Sequence, residues 1–163
     1  MKFAAYRPFV ALLAVLLAGC QASLHPKPIW SARQVEALRA AGFVQTDRGW
    51  ELSVNDRLLF PSDESRVDTQ QAVVIKRIAT NLQAVAIRHA SIEGHADITG
   101  TDHHNLVLSG QRARAVAGVF IGAGFQRSNV RTEGLGDRYP IEDNGTAEGR
   151  RENRRVVILL TAP

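Results

Sequence analysis

The stretch from Glu93 to Arg112, EGHADITGTDHHNLVLSGQR, concentrates the side chains best suited to chemistry. Gly94 and Gly100 bracket a short loop that carries Asp97. A helical pattern then presents Asn105, Leu108 and Arg112 at spacings of three and four, which places them on one stripe above that loop. A carboxylate and a guanidinium facing one cleft suit a ligand that bears both an ammonium and a carboxylate. Binding fits this pattern better than catalysis, and no catalytic residue is assigned. Ser109 lacks a Gly-x-Ser-x-Gly elbow, and no two carboxylates are set out as in a glycosidase. His95, Asp97, His103 and His104 crowd together, but their spacing matches no zinc pattern, so neither a metal nor another cofactor is expected.

Alternating strands and helices position this stretch. Trp50 to Phe60 is extended in character, and Pro61-Ser62-Asp63 ends it. A helix is expected from about Val67 to Val85, with Val74, Ile75, Ile78, Leu82 and Val85 as its core face. Arg88 to Glu93 reads as a strand. The helix carrying the stripe runs to about Ala123, buries Leu106, Ala113, Val116, Ala117 and Phe120, and ends at Gly122 and Gly124. Asn129 to Gly136 is a third strand. A polar loop from Asp137 to Glu148 leads to Arg155–Thr161, whose unbroken run Val156 to Leu160 implies burial on both faces. The order β-α-β-α-β-β predicts an α+β sandwich, with both helices on one face of a mixed four-stranded sheet.

Ahead of this lies a leader. Lys2 and Arg7 precede an apolar run from Phe9 to Leu17, too short to span a bilayer as a helix, and Leu17-Ala18-Gly19-Cys20 has the form of a bacterial lipobox. Residues 1–19 are therefore expected to be a lipoprotein signal peptide, leaving Cys20 as the acylated N-terminus and the outer membrane as its anchor. Cys20 is the single cysteine, which excludes an intramolecular disulfide. Residues 20–30 form a tether held extended by Pro26 and Pro28. Residues 31–50 then form a short flanking helix, N-capped by Ser31 and stopped by Gly42, followed by the Asp47-Arg48-Gly49 turn. Leu38, Phe43 and Trp50 supply its apolar surface, which is expected mainly to dock on the domain and in part to receive a protein partner.

The chain of 163 residues fits one domain, here residues 51–163. Its formal net charge of +4 falls to +2 without Lys2 and Arg7. No Lys/Arg-rich run lies beside aromatic residues, which argues against nucleic acid as a partner.

Several motifs, in order, resemble the OmpA-like peptidoglycan-binding domain: Gly94-His95-Ala96-Asp97, Asn105 to Ala113, Gly134-Leu135-Gly136, and Gly149 to Val156. The resemblance covers Glu51 to the C-terminus and implies that Asp97 and Arg112 hold the diaminopimelate residue of a peptidoglycan stem. Asn105, Leu108 and Arg154 match further pocket positions, whereas Ala96 stands where the family more often has Thr. The segment from Ser31 to Val54 and the short tether are most similar to lipoproteins of tripartite envelope signalling systems. Those capture a periplasmic repressor and so free an inner-membrane diguanylate cyclase. The partners implied are peptidoglycan, the outer membrane through the lipid, a periplasmic repressor and a second copy of the chain. Two other readings are a purely mechanical tether between membrane and wall, and a murein hydrolase.

Overall fold

The computed structural model describes residues 29–60 and 65–161. The expected signal peptide of residues 1–19, Cys20, the expected tether through Pro28 and the expected strand end at Pro61-Ser62-Asp63 lie outside the described residues. No helix among the described residues is long and apolar enough to cross a membrane.

Helix α1 (Ala32–Ala40) begins where Ser31 accepts from the Gln34 amide at 3.2 Å and Gln34 Oε1 accepts in return from the Ser31 amide at 2.9 Å. This reciprocal cap satisfies two donors that the first turn would otherwise leave open. Gly42, at φ 85°, stops the helix. Strands β1 (Val44–Thr46) and β2 (Gly49–Asn55) form a hairpin, and the four-residue helix α2 (Asp56–Leu59) follows directly. Asp68 caps α3 (Thr69–Ala84), which leads through β3 (Ala90–His95) to α4 (Asp102–Gly122). A single 3-10 turn, Arg127–Asn129, precedes β4 (Val130–Gly136), and α5 (Ala147–Asn153) runs into β5 (Arg155–Leu160).

The strands form one sheet in the order β1-β2-β5-β3-β4, with β3 and β4 parallel and the other pairs antiparallel. The sheet has five strands rather than the expected four, because Val44 to Thr46 pairs with Thr46's own hairpin partner strand and becomes an edge. Three residues with no alternation of burial carry too little pattern to read as a strand. The Trp50–Phe60 segment likewise divides: the Asn55 side chain accepts from the Arg57 amide at 3.1 Å and turns Asp56 to Leu59 into α2. The expected loop after Asp137 also holds α5, capped by Thr146.

Ile75, Ala79 and Leu82 of α3 and Ala113, Val116, Ala117 and Phe120 of α4 pack on Trp50, Ile92, Val156, Ile158 and Leu160. Val74, expected in that core, is 38% exposed, and Ala79 occupies the inward position in its place. Strand β5 is buried along its whole length, as its apolar run implies. Leu38, Phe43 and Trp50 are all buried core residues, at 0%, 3% and 3% exposure, so the partner surface expected from them is not presented in this conformation. The reason is geometric: the hairpin adds to the sheet and draws α1 onto α3, where Gln34 Nε2 also donates to the Val85 carbonyl at 3.1 Å.

Helix α4 approaches the sheet almost backbone to backbone. A Cβ on Gly94 would lie 2.0 Å from the Ser109 carbonyl oxygen, and one on Gly134 would lie 2.5 Å from the Gly110 amide nitrogen. Only glycine permits that separation. The approach fixes the height of the α4 N-terminus above the ends of β3 and β4.

The opposite sheet face carries charge. Arg48, in the hairpin turn, donates to both oxygens of Glu93 at 2.5 and 2.6 Å. Beside Glu93 lie His95 and Arg155, buried at 3% and 6% exposure. Both ring nitrogens of His95 lack a partner, and burial, aided by Arg155 and Arg48, pushes the imidazole from 6.5 down to about 3. A pKa depressed in the fold gives stability that is complete above 6.5 and is lost as pH falls toward 3. Urea unfolding between pH 6.5 and 5, above the range of ordinary carboxylates, is expected to show a loss of about 2 kcal/mol, and His95→Gln to flatten that slope.

Candidate functional site

The loop between β3 and α4 is held from below. The Ala96 amide donates to the Gly136 carbonyl at 2.8 Å, and the Gly136 amide donates to Ser109 Oγ at 3.0 Å, which locks the ends of β3 and β4 to the first turns of α4. Asn105 Nδ2 then donates to the Asp97 carbonyl at 2.9 Å. Asp97 turns its carboxylate back on its own loop, where Oδ1 accepts from the Thr99 amide at 2.8 Å and from the Thr99 hydroxyl. Such a local turn is a common use of Asp. Its second oxygen, Oδ2, accepts from Arg154 Nη1. Burial raises the Asp97 carboxyl, but the hydrogen bonds from Thr99 and the charge of Arg154 outweigh it and hold the group below its ordinary value.

Arg154 arrives from the junction of α5 and β5. The buried Asn153 carboxamide organises that junction, accepting from the Ile141 and Glu142 amides at 2.8 and 3.0 Å and donating to the Glu142 carbonyl at 2.8 Å. Alternation then sends Arg154 into the cleft and Arg155 to the other sheet face.

Arg112 does not meet Asp97. Its Nη1 donates to Asp56 Oδ2 at 2.7 Å, and its guanidinium lies 5.2 Å from the centre of the Phe60 ring. Arg154 Nε is 3.6 Å from the same Asp56 oxygen. The four side chains thus form one row of alternating charge, Asp97–Arg154–Asp56–Arg112. Burial pushes the Asp56 carboxyl up, against the pull of Arg112 and Arg154, which draw it down. Asp56 Oδ1 and Arg112 Nε are buried without a hydrogen-bond partner.

These groups border an open cleft of 690 Å³. All five residues expected at the binding site, Asp97, Asn105, Leu108, Arg112 and Arg154, line it. Asp97 and Arg112 each engage a different partner of opposite charge. On the α4 stripe Asn105 and Arg112 are buried at 3% and 7% exposure, and Leu108 is half-buried. Asp56, Arg57, Phe60, Thr99 and His104 also line the cleft and went unassigned in the sequence. Asn55 followed by Asp56 was the available sign, since an Asn N-cap before an acidic residue marks a helix start.

The fold and the cleft define a member of a known class. Residues 59–154 match the OmpA family, and the chain belongs to it. Within that class it is 36% identical to the putative lipoprotein YfiB of Escherichia coli K12, over 92% of both chains. It is 39% identical to the outer-membrane lipoprotein YfiB of Pseudomonas aeruginosa, over 92% of this chain and 89% of that one. Among solved structures, the cell wall anchor of the T6SS from Pseudomonas aeruginosa superposes with a TM-score of 0.65 at 27% identity, covering 80% of this chain and 95% of that chain.

A buried acid and base that compensate each other are costly to separate. Asp56→Ala, which strands the Arg112 guanidinium, is expected to lower stability by about 3–5 kcal/mol in urea unfolding, whereas the double substitution Asp56→Leu with Arg112→Met should recover most of that loss.

Proposed function

We propose that the cleft binds the diaminopimelate residue of the peptidoglycan stem, and that the chain is a lipoprotein on the periplasmic face of the outer membrane that uses this grip in signalling. The observation that carries the reading is the row Asp97–Arg154–Asp56–Arg112 along an open cleft. Alternating charges offer an ammonium and a carboxylate complementary sites a few ångströms apart, which is the charge pattern of the free end of diaminopimelate. The family to which the chain belongs, and the naming of one structural neighbour as a cell wall anchor, favour the same ligand. The work is binding rather than catalysis: the charged groups of the cleft neutralise one another, which suits holding a charged ligand better than transferring a proton.

The signalling arm rests on the similarity to the two YfiB lipoproteins, which spans the flank as well as the domain. The lipoprotein captures a periplasmic repressor and so relieves an inner-membrane diguanylate cyclase. Its switch is α1. A nine-residue helix is not stable alone, so release from α3 would melt it and uncover Leu38, Phe43 and Trp50. The segment from Cys20 to Ser31, fully extended, reaches on the order of 35 Å from the membrane, and an undocked α1 lengthens that reach. A second copy of the chain is a further partner that the uncovered surface would accept.

In co-sedimentation with purified sacculi, Asp97→Ala and Arg154→Ala are expected to reduce the bound fraction about tenfold while unfolding stays cooperative; sedimentation equal to wild type would reject the pocket. Pull-down from periplasm with the mature protein is expected to recover a small protein, with recovery altered by Trp50→Ala. Sacculus binding without any such protein would leave a mechanical tether, and released muropeptides would indicate a hydrolase.

A further inference from the structure

Among the described residues that line the cleft, the charges do not balance. Three guanidinium groups, of Arg57, Arg112 and Arg154, face two carboxylates, of Asp56 and Asp97. Arg112 and Arg154 are committed to the acids, through Asp56 Oδ2 at 2.7 Å and through Asp97 Oδ2. Arg57 is not. It sits on α2 next to Asp56, is exposed, lines the cleft, and makes no ion pair with any described residue. The inner row is therefore neutral as a unit and, among the described residues, the Arg57 charge stands unpaired at its rim.

Ligand charge follows from this layout. A zwitterionic group set against the inner row leaves the Arg57 guanidinium without a counter-charge among the described residues. A ligand with one further carboxylate outside its zwitterion compensates it. We infer that Arg57 is a specificity-determining residue that holds a second carboxylate of the stem peptide, so that the cleft selects a net-anionic stem over its amidated form. The inference rests on the reading of the cleft as a stem-peptide site and deepens it. A guanidinium suits the task because it stays charged throughout the physiological range and can meet a carboxylate with two parallel hydrogen bonds. Its exposed position keeps the contribution modest and dependent on salt. Two carboxylates of a tetrapeptide stem share this chemistry, the α-carboxylate of the γ-linked glutamate and the carboxylate of the terminal alanine.

The test is calorimetric titration of the folded protein with the synthetic tetrapeptide L-alanyl-γ-D-glutamyl-meso-diaminopimelyl-D-alanine, with the same peptide amidated at the glutamyl α-carboxylate, and with the peptide amidated at the terminal alanine. Wild type is expected to bind the all-acid peptide about fivefold more tightly than one of the two amides, which identifies the carboxylate held. Arg57→Gln is expected to bring the acid peptide down to the affinity of that amide, and raising the salt to do the same in wild type. Equal affinity of wild type for all three peptides, or an acid preference that survives Arg57→Gln, overturns the inference while leaving the stem-peptide reading intact. Failure of wild type to bind any of the three, or free meso-diaminopimelate, overturns the reading of the cleft and the inference with it.

Discussion

Four charged side chains from four separate parts of the chain meet as one row, and the site exists only where they meet. Asp56 enters at the start of α2, Asp97 from the loop after β3, Arg112 from the third turn of α4, and Arg154 from the junction of α5 and β5. Each is costly to bury alone, and each is compensated by neighbours brought from far along the sequence. Such a row adds little net stability compared with apolar packing of the same volume. Its effect is on specificity: an arrangement that separates any member leaves a buried charge unpaired. The unpartnered Asp56 Oδ1 and Arg112 Nε show that the compensation is incomplete. Polar capacity left open beside a cleft is a common mark of a place where something binds.

The row depends in turn on how closely α4 lies on the sheet. Gly94 and Gly134 let the helix backbone come near the strand backbones, and the Ser109 hydroxyl bridges the remaining step to Gly136. With a side chain between helix and sheet, the N-terminal turns of α4 would ride higher and Asn105 would lose its bond to the Asp97 carbonyl. The glycines are therefore as much part of the site as the charged residues they never touch. On the other sheet face, Arg48 reaching to Glu93 ties the hairpin across the strands, so the segment preceding the domain is joined to it by a charge pair as well as by strand pairing.

Much of the framework was legible. Helix α3 shows a 3.6-residue period, α4 is bounded by its glycine stop at Gly122 and Gly124, and β5 shows an unbroken apolar run, so local pattern locates them to within a few residues. Motif order was equally informative: the Gly94 to Asp97 turn, the Asn105 to Arg112 helix and the Asn153-Arg154 junction led to five residues that all line one cleft. The misses share a cause. Strand β1, helix α2 and helix α5 have three, four and seven residues, and elements that short are set by caps and by neighbours rather than by periodicity. Val74 is apolar and on period, yet it is 38% exposed, and the small Ala79 of the same helix is fully buried.

Sequence by itself therefore determined the class of fold, five of the residues that border the cleft and the kind of ligand such residues suit, because residue types, spacing and motif order are local properties that survive without coordinates. Tertiary structure alone decided who pairs with whom. That Asp97 answers to Arg154 and Arg112 to Asp56, that Arg57 remains over among the described residues, and that Leu38, Phe43 and Trp50 lie inside the core are facts about distances between segments tens of residues apart. Coulomb interaction and burial depend on those distances, and no spacing along the chain encodes them.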